Sequence, residues 1–112
     1  MQNSNYLPPS YEKPLIVADV QLPEKSVYNY PNPAKNSTTI RYYLNSASQI
    51  KINIYDLMGD CINSVAITGA AHADNEYVWD CSDVASGIYY CSVEANSGID
   101  KVWRLFKIAI VK

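Results

Sequence analysis

Asn29-Tyr30-Pro31-Asn32-Pro33, followed after Ala34-Lys35-Asn36 by Ser37-Thr38-Thr39-Ile40-Arg41-Tyr42-Tyr43-Leu44, is the stretch on which the fold turns. Two prolines one residue apart fix φ at their own positions and bias Tyr30 and Asn32 toward extended backbone, which makes a stiff corner. The run that follows is rich in β-branched and aromatic residues and has an apolar phase at every second position. Thr38, Ile40, Tyr42 and Leu44 share one face, and Arg41 and Tyr43 the other, as in a half-buried strand. A rigid corner feeding a strand marks the start of a domain. Residues 28–112 therefore read as one unit, and residues 1–27 as a Pro-rich linker or the end of a preceding domain. Within that lead, Leu15-Ile16-Val17-Ala18-Asp19-Val20 is an apolar run suited to an extra edge strand or to a preceding domain.

Downstream, strand signals recur at short spacing, each bounded by turn residues. A short strand at residues 27–30 precedes the corner. Residues 49–55 place Ile50, Ile52 and Ile54 inward, with Lys51 and Asn53 outward. Asp56-Leu57-Met58-Gly59-Asp60 is a tight connection in which Gly59 supplies positive φ. Residues 61–67 form the next strand, 68–75 a Gly/Ala/Asp/Asn loop, and 76–80 a strand with Tyr77 and Trp79 on one face. Residues 87–95 open on Gly87 and carry Tyr89, Cys91, Val93 and Ala95 inward. In the last strand, residues 101–111, Trp103 and Leu105 share one parity while Phe106, Ile108 and Ile110 share the other, so a β-bulge near Leu105–Phe106 is expected. No segment has a useful helical period. Such strands are not stable singly. The fold expected is all-β, an immunoglobulin-like antiparallel β-sandwich of about seven strands.

A chain of 112 residues is enough for one core, and its 9 basic and 11 acidic residues exclude the basic clustering that nucleic-acid binding requires. No apolar run approaches the roughly 20 residues of a membrane span. The first ten residues are polar and carry two prolines (Pro8, Pro9), so they are not a secretory signal; an exported parent would carry that signal further upstream. Ten tyrosines fall mostly in the expected strands, where sheet packing accounts for them; a sugar-binding platform is the sharper alternative.

Chemistry-bearing residues are sparse. His72 is the only histidine and sits in a loop, without the oriented partner that a nucleophile–base pair needs. Cys61, Cys81 and Cys91 lack metal-ligand spacing. Asp56 with Asp60, and Asp80 with Asp83, are turn residues without a calcium-loop register. No glycine-rich phosphate loop is present. The expectation is a protein that is not an enzyme and takes neither cofactor nor metal. The loop between the strands at 61 and 76 centres near residue 71, so a simple hairpin would set Cys61 opposite Cys81, close enough for a candidate disulfide. Ile62 and Val65 compete for the inward phase, and Cys91 is expected as a buried thiol.

An ordered series of motifs carries a family resemblance: Asn29-Tyr30-Pro31-Asn32-Pro33, Ser37-Thr38-Thr39-Ile40-Arg41-Tyr42, Ile54-Tyr55-Asp56-Leu57-Met58-Gly59, Trp79-Asp80, Val84-Ala85-Ser86-Gly87-Ile88-Tyr89 and the terminal Lys107-Ile108-Ala109-Ile110-Val111-Lys112. Over residues 28–112 the chain resembles the C-terminal sorting domain of the bacterial type IX (Por) secretion system, related to the immunoglobulin-like domain of the flagellar hook-capping protein. The resemblance implies a secretion signal at the end of a cargo protein. Such cargo crosses the inner membrane to the periplasm, is recognised by the outer-membrane translocon, and reaches the cell surface or the medium. A cell-surface sortase commonly cuts before the domain and joins the cargo to lipopolysaccharide; here the cut would fall within residues 1–27. The three cysteines, Cys81 above all, depart from the family pattern.

A terminal strand offers unpaired backbone groups that a receptor reads by strand addition, so Lys107, Ile108, Ala109, Ile110, Val111 and Lys112 are the expected translocon-recognition residues. Lys101, Arg104, Lys107 and Lys112 would keep that edge soluble. Tyr30, Pro31, Asn32, Pro33, Gly59, Gly87 and Tyr89 are the expected structural signature. The competing class is an immunoglobulin-like binding or spacer module, carbohydrate-binding or adhesive, of a secreted multidomain protein.

Overall fold

The computed structural model describes residues 22–112; the apolar run at residues 15–20 lies outside them. After a 3₁₀ turn at Glu24–Ser26 come seven strands: β1 (Tyr28–Tyr30), β2 (Ser37–Leu44), β3 (Ser48–Tyr55), β4 (Cys61–Gly69), β5 (Ala73–Asp80), β6 (Gly87–Asn96) and β7 (Lys101–Ile110). They form two antiparallel sheets, one in the order β1-β2-β5 and the other β4-β3-β6-β7. The chain changes sheet between β2 and β3, between β4 and β5, and between β5 and β6. This is the expected immunoglobulin-like sandwich.

Period-2 patterning builds the core. Ile40, Tyr42 and Leu44 from β2, Ile50, Ile52 and Ile54 from β3, Trp79, Tyr89, Cys91, Val93, Ile108 and Ile110 are all buried, as the alternation predicts. Each such side chain contributes roughly 1.5–3 kcal/mol when withdrawn from water. The core also takes in Leu22 and Val27 from the lead and Ala34 from the corner. The Ser26 hydroxyl accepts from the Tyr43 amide (3.4 Å), which holds the lead over the Leu44 end of β2.

Three expectations are corrected. No bulge falls at Leu105–Phe106: β6 and β7 keep one register from Gly87↔Ile110 to Asn96↔Lys101. Val102, Arg104 and Phe106 continue the core-side phase of Ile108, while Trp103 and Leu105 stay outside, 60% and 57% exposed. The irregularity sits instead between β3 and β4, where Tyr55 pairs with Cys61 and Ile54 with Asn63, leaving Ile62 unpaired and turned outward.

The loop expected at 68–75 is mostly strand. β4 runs to Gly69 and β5 begins at Ala73, where β2 pairs with it (Leu44↔Ala73, Tyr43↔Asp74, Tyr42↔Asn75). Those residues carry no apolar phase; pairing with β2 and the bonds of the Asn75 side chain to Ala70 and Ala73 order them.

The Cys61–Cys81 bridge does not form. The short connection after Gly69 crosses between sheets, so β4 pairs with β3 and β5 with β2, and no β4–β5 hairpin exists. Cys61 is exposed, Cys81 buried, and all three thiols are free.

Candidate functional site

Because neighbouring strands alternate in direction, the ends of β1, β3, β5 and β7 and the starts of β2, β4 and β6 fall at one end of the sandwich. Motifs that are spread along the sequence from Asn29 to Lys112 converge there.

The proline corner is built on a buried polar network. The Asn29 side-chain amide donates to Thr38 Oγ1 (3.0 Å), and the Thr38 hydroxyl donates to the Pro31 carbonyl (2.8 Å). Asn29 Oδ1 in turn accepts from Asn32 Nδ2 (3.3 Å). Asn29 and Thr38 are buried, so each needs the other's hydrogen bond. Both Xaa–Pro bonds of the corner, Tyr30–Pro31 and Asn32–Pro33, are cis.

The corner then grips the last strand. Asn32 Oδ1 accepts from the Ala109 amide (3.0 Å), and Asn32 Nδ2 faces the Lys107 carbonyl (3.5 Å). Ala34 donates its amide to the Ala109 carbonyl (2.8 Å) and accepts from Val111 (2.9 Å), a parallel bridge to Ile110. The backbone edge of β7 from Lys107 to Val111 is thereby occupied by the protein's own corner. Among the described residues the edge left open lies instead further back along the strand, before Lys107.

Two turns complete this end. The Asp56 carboxylate accepts from the amides of Met58 (2.9 Å) and Asp60 (3.0 Å), and Gly59 adopts a φ of +89° between them. The fixed turn displays Leu57 and Met58, 67% and 86% exposed, beside Ile88. At the second turn Asp80 accepts from the Ser82 hydroxyl (2.7 Å) and amide (3.0 Å), and these bonds hold its carboxyl below the usual carboxylate range. The Tyr89 hydroxyl donates back to the Ala85 carbonyl (2.7 Å), the tyrosine-corner device of immunoglobulin-like sandwiches, and its ring meets Trp79 edge-on with centroids 6.3 Å apart. Gly87 opens β6 with a φ of +156°, which side chains resist.

The tail is tied into the same turn. Lys112 Nζ donates to the carbonyls of Cys81 (2.9 Å) and Ser82 (3.0 Å), and the Lys112 amide donates to Ser86 Oγ (2.9 Å). Of the residues expected to face a receptor, Lys107, Val111 and Lys112 are exposed, Ala109 is half-buried, and Ile108 and Ile110 belong to the core. Of the expected signature, Tyr30, Pro31, Asn32, Pro33, Gly59 and Gly87 are exposed at this end and Tyr89 is buried beneath it. Sequence reasoning missed the hydroxyls of Thr38, Ser86 and Tyr89. A threonine on an otherwise apolar face was the one available signal.

Among the described residues no cluster of side chains could hold a metal ion. Cys91 is enclosed, and burial pushes its thiol up to about 12; Cys81 is also raised by burial. His72 is exposed in the β4–β5 turn with a φ of +55°.

The fold and the clasped end define an immunoglobulin-like β-sandwich module whose last strand is held by its own proline corner. A family model described as the secretion system C-terminal sorting domain matches residues 28–107, and the chain belongs to that family. It is a C-terminal sorting signal for type IX secretion, of the kind that marks proteins for export to the cell surface or the medium. Among solved structures the fold is similar to that of dimeric latent PorU from Porphyromonas gingivalis, with a TM-score of 0.72 and 22% identity. That match covers 86% of this chain and 10% of PorU, so the chain spans about a tenth of the protein it resembles. No curated protein matches the chain.

Proposed function

We propose that the domain acts as a non-catalytic label, read in its folded state at the clasped end, which delivers an upstream cargo domain through the outer-membrane translocon. The observation that carries this reading is the convergence of the proline corner, the Asp56–Asp60 and Cys81–Ser86 turns and the tail Lys107–Lys112 on one face. A receptor touching this end meets four separate sequence segments at once, and such contact requires the fold. Lys107, Val111 and Lys112 supply the exposed part of the terminal segment, while Ile108 and Ile110 anchor it in the core. Delivery would run by way of the periplasm, and a cell-surface sortase would cut within residues 1–27.

The test is to fuse the whole 112-residue chain behind a periplasmic reporter in a bacterium with a working type IX system. Surface display of the reporter is expected, together with periplasmic retention when Asn32, Leu57 and Lys107 are changed jointly to Asp, Ser and Glu in a protein that still folds. Normal display of that folded variant would show that this end is not what the translocon reads.

A further inference from the structure

The outward face of the β1-β2-β5 sheet carries a second constellation, which the clasp does not use. Two rows stand in register across its strands, Tyr28–Arg41–Glu76 and Tyr30–Thr39–Val78. An open cleft of about 360 Å³ lies among Tyr28, Tyr30, Thr39, Arg41 and Glu76. Tyr28 and Tyr30 are 44% and 73% exposed, and Val78 beside them 61%. Arg41 is held from three sides. Its Nε ion-pairs with Glu76 (2.9 Å), Nη2 approaches Asp74 (3.7 Å), and Nη1 donates to the Tyr28 hydroxyl (3.4 Å). A guanidinium has five N–H donors in a fixed fork, so donors remain for a guest, and each carboxylate keeps a second oxygen as acceptor. A side chain fixed beforehand loses little freedom on binding.

We propose that this cleft binds a neutral glycan chain, a role separate from sorting. Aromatic walls with a small set of converging polar groups are the make-up of a ligand site. Charge selects the guest. The carboxylates of Asp74 and Glu76 repel phosphate, sulfate and nucleic acid, and the Arg41 guanidinium between them repels a cation. Fixed donors and acceptors side by side suit hydroxyls, each of which both donates and accepts. Position selects against a peptide strand, because the cleft floor is a sheet face from which side chains project, while the ladder groups of β2 turn to β1 and β5. Tyr28 and Tyr30 lie two residues apart on β1. Their Cα atoms are therefore roughly 7 Å apart along the strand. A linear chain of sugar rings laid along β1 would pack its C–H faces against both tyrosines and turn its hydroxyls to Arg41 and Glu76. Tyrosine suits such a guest, with an apolar body and a polar tip.

Amide chemical-shift mapping on the full 112-residue chain tests this, with cellohexaose, mannohexaose and maltohexaose as neutral probes and a heparin hexasaccharide as the sulfated one. At least one neutral probe is expected to shift the amides of Tyr28, Tyr30, Thr39, Arg41 and Glu76 together, and the heparin fragment to bind at least fivefold more weakly. Tyr30→Ala removes an exposed ring, and Arg41→Met keeps the stem but removes the donors. Each is expected to weaken binding at least fivefold; mapping on the native chain decides the matter should either variant fail to fold. No shift from any neutral probe up to about 20 mM would overturn the proposal. So would shifts centred on Trp103 and Leu105, tighter binding of heparin, or unchanged affinity in both folded variants. The readout is binding to the isolated chain, so its failure leaves the sorting role standing.

Discussion

Asn32→Ala is the sharpest probe of the clasp. Asn32 makes two bonds of good length, from the Ala109 amide (3.0 Å) and to Asn29 Oδ1 (3.3 Å), and one marginal contact to the Lys107 carbonyl (3.5 Å). A net hydrogen bond contributes roughly 0.5–1.5 kcal/mol. Asn32 is exposed and Ala109 only half-buried, so water replaces part of what is lost. The expected cost is about 1.5 kcal/mol, toward the low end of two bonds. For a domain of this size that lowers Tm by roughly 6–12 °C. Asn32→Asp keeps an oxygen to accept from Ala109 but turns its second oxygen toward the acceptors Asn29 Oδ1 and the Lys107 carbonyl, so it should recover less than half of the loss. Calorimetry supplies Tm, and hydrogen exchange at the Ala109 amide supplies the local readout, which should accelerate at least tenfold in Asn32→Ala. If Tm stays within about 2 °C and the Ala109 amide is unchanged, the side chain does not hold the strand and the clasp rests on Ala34 alone.

Gly87→Val forces a branched side chain into a φ of +156° and should cost roughly 1–3 kcal/mol, lowering export in step with Tm; lost export at an unchanged Tm would point to receptor contact at Gly87. Lys107→Glu should leave Tm within a degree or two, because Lys107 is exposed, whereas Lys112→Glu should lower it by several degrees, because Lys112 Nζ donates to two carbonyls; equal melting of the two variants would mean that the tail is not tied down. In native protein Cys61 should react with an alkylating reagent while Cys91 stays silent until unfolding. The Cys91 thiol is raised to about 12, so the unfolded chain sheds this proton first as pH rises: stability is full below about pH 8.5 and falls between there and pH 12. Buried Tyr42, also raised, acts in the same direction at higher pH, so Cys91→Ala should flatten the first part of the alkaline decline in Tm; an unchanged decline would assign it to other groups.

Much of this protein is legible along the chain. The alternation through residues 38–44, 50–54 and 89–93 settled the strands and their inward faces, because a pleat sends every second side chain to the same side. The motif series gave the family on the same grounds of local order. The failures share a cause. Trp103 and Leu105 are apolar yet outward, since the register of β7 is set by its pairing with β6 and not by its own hydropathy. Residues 73–75 look like loop and become strand because β2 pairs with them. Cys61 and Cys81 sit at matched distances from a turn, yet Cys61 opens β4 and Cys81 follows β5, which lie in different sheets. The clasp was beyond reach for the same reason: the contacts of Asn32 with Ala109 and of Lys112 with Cys81 join residues far apart in sequence. Where the alternation is clean, as at residues 38–44 and 50–54, strand identity and facing follow from side chains two apart, which the sequence by itself determines. Which strands become neighbours, which edge is closed and which motifs share a surface follow from the packing of two sheets, and only the tertiary structure decides them.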